Sequence, residues 1–479
     1  MPDSTVSDLV AGVSRETLTP RVGMRLAGSL RDSLSGGIHQ PLAISALYLS
    51  ESGHEVVIVA CDLILMPPAD AWQIRLAIGE ALDVPAEQIL VAFSHSHATP
   101  SPVSWGEYDY VATAEERTEV EAFFETYKIA AVTAAVAAQR KAEPARIESA
   151  VGKSDINVNR RERREDGQMI LGSNPSGPAD REVGVVRIDS ESGDPLSILF
   201  NYACHPDILG PKSPLISPDF VGPARDALEA VTGATSLFLQ GAAGDIYPCT
   251  GIVNGDAGVD VANRLGHRLG AEAARVSETI NTHREPDERV AWISTNSITT
   301  NWHYRERERP SRIGLTSSRV VLDLPTRPLP SAGEARELVE TRSRERDAVP
   351  DDAALSQRLI ASRRLAWSRI QLEAAERGGP NSLDVELQAI RLGDSAIIAI
   401  PGELFTEIGL AIKKASPFPN TIVSAYSNGV FFYIPTEAAF HDGGYEVNSH
   451  QNYLRASGPT SDWERRLVQS ATELLQSLA

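Results

Sequence analysis

The chain has 479 residues, 42% of them hydrophobic and 23% charged, with 64 acidic against 45 basic side chains and a net charge of −19. That is ordinary globular composition, long enough for one large core. The negative balance argues against nucleic acid and anionic membrane surfaces, which repel it, and leaves a small molecule as the expected partner.

Short apolar runs bounded by turn residues predict buried strands at Val56–Cys61, Ile89–Phe93, Val183–Ile188, Ser197–Tyr202 and Leu237–Leu239. Helical spacing of Ala, Leu and charged residues predicts helices at Ala69–Leu82, Glu115–Arg140, Asp219–Val231 and Asp256–Thr279. Pro330 to Pro380, rich in Arg and Glu, has no strand-like run and reads as a solvated helical hairpin. Strands return at Leu383–Leu392 and Ala396–Ile400, then a helix at Leu404–Lys414, a strand at Thr421–Tyr426 and an amphipathic helix at Asp462–Leu478. The alternation predicts an α/β fold, a mixed sheet core with helices on its faces, as a single domain over 1–479 with a helical insert at about 330–380.

Three cysteines, Cys61, Cys204 and Cys249, are too few for a disulfide scaffold, and one at least is unpaired. Met1 to Val13 shows no basic stretch followed by an apolar one, and no apolar run approaches the roughly 20 residues of a membrane span. The sequence therefore predicts a cytoplasmic protein without stable membrane association.

Four segments carry candidate chemistry. Phe93-Ser94-His95-Ser96-His97 places a His-x-His pair at a strand end. Residues two apart on a strand face one side, so both imidazoles are expected in one site beyond the carboxyl edge of the sheet. Asn201-Tyr202-Ala203-Cys204-His205-Pro206 again ends a strand in a histidine, although His205 read alone fits a core or turn histidine better. Cys204 is expected to point away from it and pack as a small hydrophobe. Pro401-Gly402-Glu403 sits where a strand gives way to a helix, and an N-terminal helix charge would explain Glu403 equally well. Tyr433, among the aromatics of Phe431-Phe432-Tyr433-Ile434-Pro435, reads alone as core.

Taken together and in this order, these segments resemble the neutral/alkaline (non-lysosomal) ceramidase family in its catalytic N-terminal domain. Gly37-Ile38-His39-Gln40, Asn159-Arg160, Ser217-Pro218-Asp219-Phe220-Val221-Gly222 and Gly443-Gly444-Tyr445-Glu446 add to the resemblance, which runs from about Gly12 to Tyr445. It implies a Zn²⁺ site at His95, His205, Glu403 and Tyr433, with His97, Arg160 and Tyr445 as catalytic groups. Two imidazoles and a carboxylate are a familiar set for catalytic zinc, although manganese, iron and cobalt accept the same ligands. The implied reaction is hydrolysis of an amide C–N bond by metal-activated water. Tyr445, His97 and Arg160 would then stabilise the oxyanion, and a histidine would return a proton to the amine.

Two departures bear on substrate. Where the family carries a Gly-Asp-Val-Ser-Pro segment with an active-site serine, this chain has Gly244-Asp245-Ile246-Tyr247-Pro248, a bulky phenol in place of a hydroxymethyl. Only about thirty residues follow Glu446, against the additional β-sandwich domain of ceramidases, so none is expected here. The expected substrate is therefore a small soluble amide or lactam, or an ester, with a ceramide-like lipid amide and a non-catalytic metal-binding relic as competing readings.

Overall fold

A computed structural model describes residues 7–102, 113–294, 296–379 and 381–479. Eight strands form the largest sheet, in the order Thr235–Gln240, Pro195–Tyr202, Glu182–Ser190, Glu143–Lys153, Val10–Leu18, Leu42–Glu51, His54–Cys61, Ile89–Phe93. Its two halves join at Val10 opposite Pro144 and Ala11 opposite Glu143, with Ala145 N–H donating to Leu9 O at 3.0 Å. A second sheet orders Thr316–Pro325, Ser382–Leu392, Ser395–Ala399 and Asn420–Ser424.

All three layers close on one apolar centre. Leu47, Ile58 and Leu90 come from one half of the large sheet, Val186, Leu199 and Leu239 from the other, and Ile390, Ile397 and Ile422 from the second sheet. Helices cover the outer faces. Ile74 and Ile78 of Pro68–Leu82 and Ala131, Ala134 and Ala138 of Ala114–Arg140 pack over Val57, Val59 and Val91. Leu228 of Val221–Thr232 and Leu265 and Leu269 of Asp256–Glu278 pack over Val183, Val185 and Phe200. The Ala-rich face of Ala114–Arg140 comes so close to the sheet that a Cβ at Gly12 would lie 2.1 Å from the Ala138 carbonyl oxygen. Thr113 and Glu116 start that helix with a reciprocal capping box.

The mixed α/β architecture is that expected, and every helix and strand named from the sequence is present within a few residues. The insert is a pair of helices, Ala332–Asp347 and Leu355–Arg377; Pro380 lies outside the described residues. The strand periodicity of Val10–Leu18, Leu42–Glu51 and Glu143–Lys153 went unread. So did the hairpin Arg284–Ser294 with Ser297–Glu306, whose second strand is exposed throughout. Among the described residues no helix is long and apolar enough to cross a membrane.

Most strand pairs are antiparallel; of the five parallel pairs among the described residues, three lie in the two large sheets, and each of these is a strand–helix–strand crossover. His54–Cys61 pairs with Ile89–Phe93, Pro195–Tyr202 with Thr235–Gln240, and Ser395–Ala399 with Asn420–Ser424. The site is built from the segments that follow the carboxyl ends of these pairs, where loops can converge without breaking a ladder.

Candidate metal centre and active-site pocket

The first crossover supplies His95 and His97. The strand ends at Phe93, and His95 takes a left-handed φ of +67°. Strand alternation is therefore not what aims the two rings, contrary to the sequence expectation. A turn does so, held by His95 N–H to Leu63 O at 2.9 Å and His97 N–H to Pro206 O at 3.0 Å. The rings meet edge to face with centroids 4.9 Å apart. His95 Nδ1 donates to Ile64 O at 2.9 Å, which leaves the lone pair on Nε2.

The second crossover supplies His205. Its Nδ1 donates to Ala243 O at 2.6 Å, so its Nε2 also carries the lone pair. Burial, then the Arg160 charge, push the imidazole down to about 3, so it is neutral at physiological pH. Cys204 turns away into the apolar layer beneath Leu228, as expected. The Ser217–Gly222 element braces the segment after His205: Asp219 Oδ2 accepts from Ile208 N–H at 2.9 Å and Leu209 N–H at 3.1 Å.

The third crossover supplies Glu403 and Tyr433. Glu403 is not at a helix N-terminus; it lies in a two-residue strand, Glu403–Leu404, paired in parallel with Tyr433–Ile434, and the helix begins at Thr406. Glu403 Oε2 is 3.3 Å from His95 Nε2 and 3.3 Å from His205 Nε2. Burial raises its carboxyl, but the two imidazoles override this and hold it well below the usual carboxylate range. Tyr433 Oη lies 3.4 Å from His205 Nε2. Burial raises the phenol well above its ordinary value, and the Arg160 charge opposes this.

Two groups around Glu403 went unrecognised in the sequence. Tyr453 donates its hydroxyl to Oε1 in a short bond, and Tyr426 donates to Oε2 at 3.3 Å. A third is Asp207, whose Oδ2 is 3.4 Å from His97 Nδ1. Nothing in the sequence marks the tyrosines, whereas the position of Asp207 two residues after His205 was a usable signal.

Arg160 is 1% exposed. Glu446 fixes it through Nε at 3.0 Å and takes Arg161 Nη1 at 2.7 Å. Arg160 Nη1 is 3.4 Å from His205 Nε2, and its guanidinium lies over the rings of Tyr247 at 4.7 Å and Tyr433 at 5.3 Å. Tyr247, at the family's serine position, is buried, and its phenol is pushed up to about 12. Neither residue lines the pocket. Tyr445 does, with its ring 5.7 Å from that of Tyr433 and its hydroxyl accepting from Asn452 Nδ2 at 2.9 Å. The pocket lies between His95, His97, Glu403, Tyr433 and the apolar Ala27, Ile64 and Leu65.

The donor set fits a divalent cation. Two imidazole nitrogens and a carboxylate oxygen converge on one point, with only Arg160, Tyr426, Tyr433 and Tyr453 donating at their edges, an arrangement that a cation among them would satisfy. Their spacings of 3.3 Å, and 3.4 Å for Tyr433 Oη, match the edge of a tetrahedron with bonds of about 2.0–2.1 Å, roughly 3.3–3.4 Å. His97 Nε2 is also 3.2 Å from His95 Nε2, and the three imidazoles offer nitrogens within 4.8 Å of one another. The buried group His95, His97 and His205 could thus hold a metal ion.

No family model and no curated protein matches the sequence. Solved structures do match the fold. The crystal structure of neutral ceramidase from Pseudomonas aeruginosa superposes with a TM-score of 0.65 at 18% identity, covering 98% of this chain and 75% of that one. A ceramidase complexed with C2 superposes with a TM-score of 0.66 at 16% identity, covering 99% of this chain and 75% of that one. Along nearly its whole length, this chain has the fold of the neutral ceramidases.

Proposed function

We propose that this protein is a zinc-dependent hydrolase cleaving an amide C–N bond in a small soluble amide or lactam. The observation that carries the reading is the convergence of His95 Nε2, His205 Nε2 and Glu403 Oε2 at the inner end of a pocket. His95, His205, Glu403 and Tyr433 would hold the metal. When bound, zinc supplies Lewis acidity and a water that is nucleophilic near neutral pH.

The chain's own groups would do the rest. His97 lines the pocket beside the ligands, and burial, reinforced by the adjoining His95 and His205 rings, keeps it well below its ordinary value. A neutral imidazole there can accept a proton at Nε2 and return it to the leaving amine. Tyr445 offers a hydroxyl to the developing oxyanion from the pocket wall. Arg160, buried behind Tyr433, is better placed to favour ionisation of that phenol than to touch a carbonyl; its Nη2 has no hydrogen-bond partner among the described residues. Tyr247 stacks on Arg160 and would not act as a nucleophile.

A small pocket that sets polar ligating groups against the apolar Ala27, Ile64 and Leu65 suits a small amide. The fold likeness to ceramidases supports the second reading, a lipid amidase. The three cysteines are unpaired, which fits a reducing, cytoplasmic setting, and the charge of −19 disfavours nucleic acid. The test is metal content of protein purified without added metal, beside His95→Ala, followed by hydrolysis of short amides and lactams. About one zinc per chain, lost in the variant, with hydrolysis in the wild type only, is the expected result. No metal in either protein after zinc is supplied would overturn the ligand assignment.

A further inference from the structure

The hairpin Arg284–Ser294 with Ser297–Glu306 belongs to neither large sheet, and none of its described residues lines the pocket. It is a two-stranded ribbon of its own, and every residue of its second strand is exposed. Such a ribbon is marginally stable in water unless something covers it. At about 3.3 Å per residue, its ten-residue strand reaches about 33 Å.

Register sorts the hairpin's side chains. Directly opposed residues share a face, and so do residues two apart on one strand. The pairs Ile293–Ile298, Ala291–Thr300 and Arg289–Trp302, with Tyr304, therefore lie on one side. On that face Ile293 is 77% exposed, Ile298 72%, and Trp302 and Tyr304 57% each. Both exposed tryptophans among the described residues are on this hairpin, Trp292 being on the opposite side. Charge is missing as well. In a chain with 23% charged residues, the fifteen from Val290 to Tyr304 include no Asp, Glu, Lys or Arg. Natural edge strands carry charges that deter pairing, and this hairpin omits them where it is most apolar. Arg289, at the margin, lies along the face: its guanidinium is 5.9 Å from the Trp302 ring centroid, and its Nε donates to Thr300 Oγ1 at 2.9 Å.

We propose that this face is an interface between two copies of the chain, packed on itself about a two-fold axis. A two-fold contact sets each group near its own counterpart, so a charged patch repels itself and an uncharged apolar one does not. Two chains of charge −19 meet closely where neither presents a charge, and the outer part of the hairpin is such a place. The area is sufficient too. At their exposures the four large side chains present on the order of 500 Å² per chain, so face-to-face packing removes about 1,000 Å², the threshold of specific association. An anionic bilayer is the poorer match for a chain of this charge, since the stretch from Val290 to Tyr304 carries no Lys or Arg to meet it.

Sedimentation velocity on the full chain tests this. The wild type should pass from one-chain to two-chain mass between about 1 and 100 µM, the range that suits an interface of this size. The double variant Ile298→Glu/Trp302→Glu sets like charges against each other across the axis and should weaken association at least about 100-fold. Asn301→Glu places the same charge on the opposite face, beside Val290, and should leave association within about threefold. All three positions are exposed, and circular dichroism confirms that each variant is folded. A wild type that stays a single chain throughout overturns the proposal. So does association that survives in the double variant, or that Asn301→Glu abolishes equally. A single-chain wild type that co-floats with phosphatidylcholine vesicles, where the double variant does not, would assign the face to a membrane and likewise overturn it.

Discussion

Glu403 and Tyr433 are direct Cα partners in a parallel ladder only two residues long. The pairing continues on both sides through Glu403 N–H to Phe432 O at 3.0 Å and Phe405 N–H to Ile434 O at 3.1 Å. It fixes a carboxylate and a phenol side by side on backbone rather than on flexible loop. Both are buried, so neither side chain has solvent to compensate a displaced partner. Positioning by a ladder is what a metal site requires, since ligands must already be in place before the ion binds.

Glu403→Gln tests whether this carboxylate serves a cation. In metal-free protein the ionised oxygen faces two nitrogen lone pairs, whereas an amide N–H would donate to them. The variant should therefore melt no lower than wild type without metal, while its zinc affinity falls by at least about 100-fold. A large loss of metal-free stability with unchanged zinc affinity would show that the charge is structural.

Tyr453→Phe removes the hydroxyl that orients Glu403 Oε1 and leaves the ring in place. Loss of such a supporting bond costs about 10–100-fold in metal affinity or activity. The stability change should be of similar size, about 1.5–3 kcal/mol for a hydrogen bond to a charged group. Isothermal titration with zinc and chemical unfolding separate the two effects; unchanged zinc affinity would reduce Tyr453 to packing.

Much of this centre was legible in the sequence, for physical reasons that differ by residue. His95 and His97 follow a strongly apolar strand, and a His-x-His pair at a strand end stands out. His205, Glu403 and Tyr433 do not stand out, because a histidine before Pro, a carboxylate after Pro-Gly and a tyrosine among phenylalanines each have ordinary explanations; only the resemblance singled them out. Tyr453 and Tyr426 gave no signal, since their role depends on reaching Glu403 from 50 and 23 residues away. The left-handed turn at His95 was illegible too, because histidine has no strong preference there and the loop around Leu63 imposes it. The strand Glu143–Lys153 escaped because only Ala145 and Gly152 of it are buried and the rest are half-exposed or exposed, so it forms no apolar run.

Glu446→Ala should be the most destabilising change at the site's periphery. Its carboxylate is buried and bridges Arg160 Nε and Arg161 Nη1, so its removal leaves two guanidinium groups without a counter-charge. Breaking a buried pair in this way costs about 3–5 kcal/mol. Urea unfolding measures it directly. A loss below about 1 kcal/mol would mean that water replaces the carboxylate and that Arg160 is not held as rigidly as the distances indicate.

Asp207→Asn gives a prediction in pH. The carboxyl is 3% exposed, and burial pushes it from 3.8 up to about 7, with Arg31 opposing the rise. The folded protein therefore keeps a proton that the unfolded chain releases above about pH 4. Between about pH 4 and 7 the native state binds more protons, so this group's contribution to stability falls as pH rises. Below that window the contribution is fully present, because both states are protonated; above it, both are ionised and the contribution is lost. Asparagine preserves the shape and does not titrate. In metal-free protein, the wild-type advantage over Asp207→Asn should decline steadily through this window and level off beyond it. Unfolding by urea at a series of pH values reads the difference directly. An advantage that is flat or grows with pH would show that Arg31 and His97 hold Asp207 ionised, and that its tie to His97 Nδ1 is an ion pair rather than a contact of a neutral acid.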